Sequence, residues 1–446
     1  MRLHTHACLW VALLTALTSC SVSGKMNRSA HDLLLEQEGL KQAHIGISIY
    51  DPERARFLYN YQGDKYFVPA SNVKLFSLYA GLKYLGDSLP GIRYAETADS
   101  IYLEATGDPT LLHPDYEVHP VIDWLKSNSK ELVIHQDNWV EKELGYGWSW
   151  DDYNSYYMAE RSPLPVYGNI IRWTQVLEKN ESEDGSLVNE AFVYSEPEVS
   201  WKVNFSAGRK SSFSVVRDRY TNQFTITEGP EILHTLEVPF VTNGVFSALD
   251  LLRDTLGRSI LLVPREQTRA VNKTMYSHPT DSMLKAMMYR SDNFFAEQVL
   301  LMTSQQQIGL MNTAKIIDTL LKSDFKSIPH VPKWVDGSGL SRYNLFTPQS
   351  FIWLLDKMQK EFDHDRVYSI LPPGNKGTLA NYYTEMPDAI RAKTGTLSNH
   401  VALSGYLTTK KGKTLLFSIL VNNHQTSVSL VRRSVESFLQ KLWEKN

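Results

Sequence analysis

The chain has 446 residues, of which 42% are hydrophobic, with a formal net charge of −3 and a pI near 6.5. That length exceeds what one hydrophobic core usually serves, so two or more domains are expected. The balanced charge offers no basic field for a polyanion, and nucleic acid is not expected as a partner.

The N-terminus opens with Met1-Arg2-Leu3 and a short apolar run from Ala7 to Leu17, too brief to span a bilayer. Residues 1–19 read as an export signal ending in Leu17-Thr18-Ser19-Cys20, which resembles the lipobox of bacterial lipoproteins. The resemblance implies that Cys20 becomes a lipidated first residue, that residues 20–30 are a tether, and that the protein sits in the bacterial periplasm. Its lipid anchor would hold it to a membrane, the outer membrane being the expected one. Both cysteines, Cys8 and Cys20, lie in this leader. The body therefore has no thiol for a disulfide, a nucleophile or a cysteine zinc site. No His-Glu-x-x-His occurs, so a zinc hydrolase is disfavoured and no cofactor or metal is expected.

Alternation from His44 to Tyr50, a turn at Asp51-Pro52-Glu53 and alternation again from Arg56 to Tyr61 predict a β-hairpin. A helix is expected to start just after Pro69, with Val73, Phe76, Leu78 and Leu82 facing a core. From about Gly86 the character changes to turns, aromatics and short alternating runs, which predicts an inserted β-rich domain over 89–265. Its aromatic cluster, Tyr146, Trp148, Trp150, Tyr153, Tyr156 and Tyr157, reads as structural core in preference to a ligand platform. Glu141-Lys142-Glu143-Leu144-Gly145 has the look of a deacylating loop but ends in Gly where Asn is needed, and is read as coincidence.

Helical periodicity returns over Phe246 to Leu256 and, as one apolar stripe, from Ser282 to Met302. Tight turns are expected at Asp336-Gly337-Ser338-Gly339 and Gly374-Asn375-Lys376-Gly377, with a helix from Ser350 to Glu361 between them. Ile390 to Leu397, Val401 to Thr408 and Leu415 to Val421 read as neighbouring antiparallel strands, closed by an amphipathic helix from Ser427 to Trp443.

Ser71 and Lys74 place a hydroxyl and an amine one helical turn apart. A serine needs a base to become nucleophilic, and an ammonium cannot serve until burial or a second cation lowers its pKa by up to ~3–5 units. Ser127/Lys130, Ser282/Lys285 and Ser323/Lys326 repeat the spacing, so the pair alone is weak. Ser291-Asp292-Asn293 and Lys393-Thr394-Gly395, however, each occur once and follow in order. The ordered set S-x-x-K, S-D-N, K-T-G is the pattern of penicillin-binding proteins and class A β-lactamases. It assigns attack on an amide carbonyl to Ser71, proton removal to Lys74 and proton relay to the leaving amine to Ser291. Asn293 would fix the substrate amide, and Lys393 would be the second cation. Thr394, Gly395 and Thr396 form the substrate-binding strand, with the Ser71 and Thr396 N–H groups as an oxyanion hole.

The chain resembles the class C low-molecular-mass penicillin-binding proteins, the D-alanyl-D-alanine carboxypeptidase/endopeptidase family. Pro69 to Leu75, Gly107-Asp108-Pro109-Thr110-Leu111, Ser291-Asp292-Asn293, Asp336 to Arg342, Gly377-Thr378-Leu379 and Arg391 to Ser398 match its pattern in order. The resemblance implies an α/β (α+β) penicillin-binding-protein/β-lactamase-like transpeptidase domain, an antiparallel sheet flanked by helices, over 31–88 and 266–446, split by the insert. Its implied substrates are peptidoglycan stem peptides, cleaved as a serine carboxypeptidase, an endopeptidase or both, with β-lactams as inhibitors. A β-lactamase and a non-catalytic peptidoglycan-binding lipoprotein are the alternatives. Gly86 to Gly107 is too short for the further domain that some members nest in the insertion, so any third domain must be reduced or placed elsewhere.

Overall fold

The computed structural model describes residues 26–181 and 187–445. Cys8 and Cys20, and with them the expected export signal and lipidation site, lie outside the described residues.

The half of the chain outside the insert is built on a five-stranded antiparallel sheet in the order Ile390–Leu397, His400–Thr408, Thr414–Asn422, His44–Asp51, Arg56–Tyr61. The expected hairpin thus joins the three C-terminal strands, with Ile47 opposite Ile419. Side chains alternate across a strand, and both faces of this sheet are covered. Leu416 and Leu420 point to a core shared with the helix Lys74–Tyr84, while Phe417, Ile419 and Val421 point to the closing helix Val428–Lys445. Lys74–Tyr84 is apolar nearly all round and buried from Lys74 through Leu82. A helix of that kind belongs inside a core, wrapped by other helices as well as the sheet.

The stripe from Ser282 to Met302 is not one helix. It breaks into Thr280–Arg290 and Asn293–Ile308 because Ser291 adopts a left-handed φ of 60° and Asp292 caps the second helix by accepting from Phe295 N at 3.0 Å. The apolar rhythm continues on both sides of the break, which hides it from periodicity.

The insert holds a mixed five-stranded sheet, ordered Leu261–Leu262, Glu131–His135, Ser100–Ala105, Ser88–Glu96, Lys273–Pro279, together with the helices Pro120–Ser127 and Phe246–Leu256. Lys273–Pro279 lies beyond the expected boundary at 265 but hydrogen-bonds to Ser88–Glu96, a long-range pairing that local pattern cannot reveal. Two three-stranded sheets are nested further in, between Glu131–His135 and Phe246–Leu256, and include the long pair Ile170–Glu181 and Leu187–Glu196. The additional lobe therefore sits later in the insert than Gly86 to Gly107. Trp173, Phe224 and Phe240 join the insert core, which reaches Leu301 and Met311 of the helical half.

The aromatic cluster does not form core. Tyr146, Trp150 and Tyr156 are 73%, 65% and 63% exposed. Tyr146 stacks on Tyr343 at 5.0 Å, and Trp150 lies under the Arg219 guanidinium at 4.8 Å. Glu141 has a structural task, accepting from Thr313 N at 2.7 Å and pairing with Arg161 at 3.3 Å.

Candidate active site

Three segments remote in sequence meet at the N-terminal end of the helix Lys74–Tyr84. Ser71 lies on a 3-10 turn, Ala70–Val73, that leads into that helix. The residue before it, Ala70, has a φ of 47°, a left-handed conformation uncommon outside glycine and typical of strained functional turns. The turn presents the half-buried Ser71 hydroxyl to the Lys74 amine at 2.9 Å.

Lys74 Nζ also donates to Asn293 Oδ1 at 2.6 Å and to the Ser338 carbonyl at 2.7 Å. An ammonium has three hydrogens, and here it finds three acceptors. Lys74 is completely buried, and burial holds its pKa down to about 8 against the opposing charges of Asp336, Asp292 and Glu297.

The left-handed Ser291 turns its hydroxyl toward the strand Ile390–Leu397, where Lys393 Nζ donates to Ser291 Oγ and to the Thr394 carbonyl, both at 2.7 Å. Burial, then the Lys74 and Arg432 charges, holds Lys393 well below the ordinary lysine range. Two amines and two alcohols therefore lie in one connected arrangement. Asn293 is held at both ends, because its Nδ2 donates to the Tyr157 carbonyl at 2.9 Å.

Strand and serine turn are pressed together. Asn72 Nδ2 donates to the Lys393 carbonyl at 2.9 Å. A Cβ on Gly395 would stand 2.8 Å from the Pro69 carbonyl and 3.0 Å from Ser71 N, so only glycine allows this approach. Thr394 is buried, whereas Thr396 is exposed and its Oγ1 accepts from Arg432 Nη2 at 3.0 Å. Every expected residue of the body, Ser71, Lys74, Ser291, Asn293, Lys393, Thr394, Gly395 and Thr396, falls within this arrangement.

Sequence reasoning missed several contributors. Ser338 offers the site only its carbonyl, which no side-chain pattern reports, although the turn that carries it is legible in Asp336-Gly337-Ser338-Gly339. Glu297, fully buried, accepts from Ser338 N at 2.7 Å and fixes that carbonyl. Arg432 stands on the closing helix, where amphipathic spacing alone gave no reason to single it out.

The model of the D-Ala-D-Ala carboxypeptidase 3 (S13) family matches residues 28–442. A D-alanyl-D-alanine carboxypeptidase of Actinomadura sp. (strain R39) is 27% identical over 441 residues, covering 88% of this chain and 80% of that protein. The D-alanyl-D-alanine carboxypeptidase DacB of Haemophilus influenzae is 22% identical over 437 residues, covering 88% of each. The crystal structure of penicillin binding protein 4 from Haemophilus influenzae shares the fold, with a TM-score of 0.73 at 19% identity over 94% of this chain and 98% of that one. A peptidoglycan endopeptidase of Bdellovibrio bacteriovorus aligns with a TM-score of 0.51 at 14% identity over 91% of this chain and 94% of that one.

Proposed function

The chain belongs to the D-Ala-D-Ala carboxypeptidase 3 (S13) family, and on that premise we propose that it hydrolyses the D-Ala-D-Ala end or the D-Ala cross-bridge of peptidoglycan stem peptides through an acyl-enzyme on Ser71. The observation that carries this reading is the trio of acceptors around Lys74. Once the amine loses a proton, its two remaining hydrogens satisfy Asn293 Oδ1 and the Ser338 carbonyl, and the lone pair is left facing the Ser71 hydroxyl. The base is thereby aimed without any rearrangement.

Ser71 Oγ then bonds to the carbonyl carbon of the penultimate D-alanine while Lys74 accepts its proton. The Ser71 and Thr396 N–H groups stabilise the oxyanion. Collapse breaks the C–N bond, the leaving amine takes a proton through Ser291, and water later hydrolyses the ester. Asn293 has one amide hydrogen committed to Tyr157 and a second to offer a substrate amide. Lys393, Thr394 and Thr396 attract the substrate carboxylate, and Gly395 lets their strand come close. β-Lactams would be trapped as long-lived esters of the same serine.

Placement in the bacterial periplasm, with a lipid on Cys20 anchored in the outer membrane, belongs to this proposal and is supported by the leader sequence. Among the described residues no helix is long and apolar enough to cross a membrane.

Product analysis on purified muropeptides tests the function. The native protein should release D-alanine from pentapeptides, split D-Ala cross-linked dimers, or do both, and Ser71→Ala should do neither. Binding of peptidoglycan with no cleavage by the native protein would contradict the proposal, as would rapid turnover of penicillin with no action on muropeptides.

A further inference from the structure

Two arginines stand side by side on the closing helix Val428–Lys445, and they differ in their partners. Arg433 pairs with Glu436 at 2.6 Å. Arg432 has no ion pair among the described residues. Both guanidinium groups lie over the Tyr382 ring, Arg433 at 4.3 Å and Arg432 at 5.7 Å from its centre. Arg432 is half-buried, and a cation partly withdrawn from water with no counter-ion gains when an anion joins it.

The hydrogen bond of Arg432 shows where such an anion would lie. Its Nη2 donates to Thr396 Oγ1 at 3.0 Å, and among the described residues it makes no other. A guanidinium has five N–H donors, so four remain to be used. The threonine hydroxyl has two lone pairs and one hydrogen; with a lone pair taken by Arg432, its hydrogen is left to be given outward. Thr396 is exposed and follows Gly395, the residue pressed against Ser71 N. A second cation serves the same strand. Lys393 also has no ion pair among the described residues, and burial, then the charges of Lys74 and Arg432, holds its pKa low, so Arg432 and Lys393 are within electrostatic reach of one another.

We propose that Arg432 is a specificity-determining residue: with Thr396 it seats the carboxylate next to the leaving nitrogen, and so selects substrates whose leaving group is an amino acid joined through its α-amine. This rests on the Ser71 reading above. An α-amino acid carries its carboxylate two bonds from the nitrogen that Ser71 sets free, whereas a side-chain amine has none at that place. Thr396 would then act twice, its N–H on the oxyanion and its O–H on the carboxylate, with the Arg432 fork supplying the charge and the second donor.

The test compares a stem pentapeptide ending in D-Ala-D-Ala with the same peptide ending in D-Ala-D-alaninamide. The native protein should favour the acid at least tenfold in kcat/KM. For Arg432→Gln that preference should fall at least tenfold, chiefly through a higher KM on the acid. Arg432→Lys keeps the charge without the fork and should show an intermediate preference. An unchanged preference in Arg432→Gln overturns the proposal, and so do equal losses on both peptides, which a merely structural role would produce. Should Arg432→Gln fail to fold, Arg432→Lys decides, and a preference equal to that of the native protein overturns the proposal. A native preference below tenfold overturns it without any variant. A native protein that forms no acyl-enzyme and cleaves neither peptide sinks the Ser71 reading, and this inference with it.

Discussion

Lys74 and Glu297 are joined through a single residue, since Lys74 Nζ donates to the Ser338 carbonyl and the Ser338 N–H donates to Glu297 Oε1, each at 2.7 Å. Burial and the nearby Asp336 charge push Glu297 up to about 7, opposed by Arg161 at 3.4 Å. An ionised Glu297 favours the ammonium form of Lys74. Glu297→Gln keeps an acceptor for Ser338 N–H and removes that charge, so the pH at which penicillin acylation reaches half its maximum should move down. Glu297→Ala instead removes one of the two carboxylates paired with the buried Arg161 guanidinium, leaving Glu141 at 3.3 Å, and takes the acceptor from the buried Ser338 N–H, which costs about 1–3 kcal/mol and is visible as a lower Tm.

The native protein should acylate faster as pH rises through about 8, the value to which burial lowers Lys74. Below it the amine holds its proton and cannot take one from Ser71; above it the free base predominates. The linkage has the same sign. Because the folded pKa lies below the unfolded one, the folded state binds fewer protons between about 8 and the ordinary lysine value of 10.5, and stability gains with pH across that window. Lys74→Arg stays charged and should lower the acylation rate by about 10²–10⁴-fold at every pH, as measured by stopped-flow quenching or mass spectrometry.

Gly395→Val should separate the strand from the serine turn. Its side chain would begin 2.8 Å from the Pro69 carbonyl and 3.0 Å from Ser71 N, both backbone atoms that cannot swing aside. Overpacking of this kind costs about 1–3 kcal/mol, and the oxyanion donors would move with the strand. Acylation should fall more than tenfold; an unchanged rate would mean that the Thr396 N–H has no part in the reaction.

Ser291→Ala removes the acceptor that lies 2.7 Å from Lys393 Nζ and the relay to the leaving amine. The expected result is a loss in kcat on muropeptides of about 10²–10⁴-fold with little change in KM. Asn72→Ala acts differently. It leaves the Lys393 carbonyl without its 2.9 Å donor in a buried place and should lower stability by about 1–3 kcal/mol, measured by denaturant unfolding.

What the sequence discloses and what it hides follow from the range of each interaction. The hairpin of His44–Asp51 and Arg56–Tyr61 and the C-terminal strands are legible because alternation and turn residues are local. Ser71, Lys74, Ser291, Asn293 and Lys393 are legible because their chemistry demands fixed residue types in short motifs. The break at Ser291 is not, since a left-handed serine leaves the flanking apolar stripe intact. Exposure of Tyr146 and Trp150 is also hidden: aromatic clustering looks alike whether the rings pack inward or, as here, stack at the surface against Tyr343 and Arg219. The Ser338 carbonyl is invisible for a simpler reason, because any residue in that place would carry the same backbone group.

The most direct measurement is intact-mass analysis of the protein after brief exposure to a penicillin, with peptide mapping of the adduct. One penicilloyl group should be found on Ser71 of the native protein, persisting for minutes, and none on Ser71→Ala. A native protein that stays unlabelled, or an adduct carried by another residue and retained by Ser71→Ala, would contradict the account.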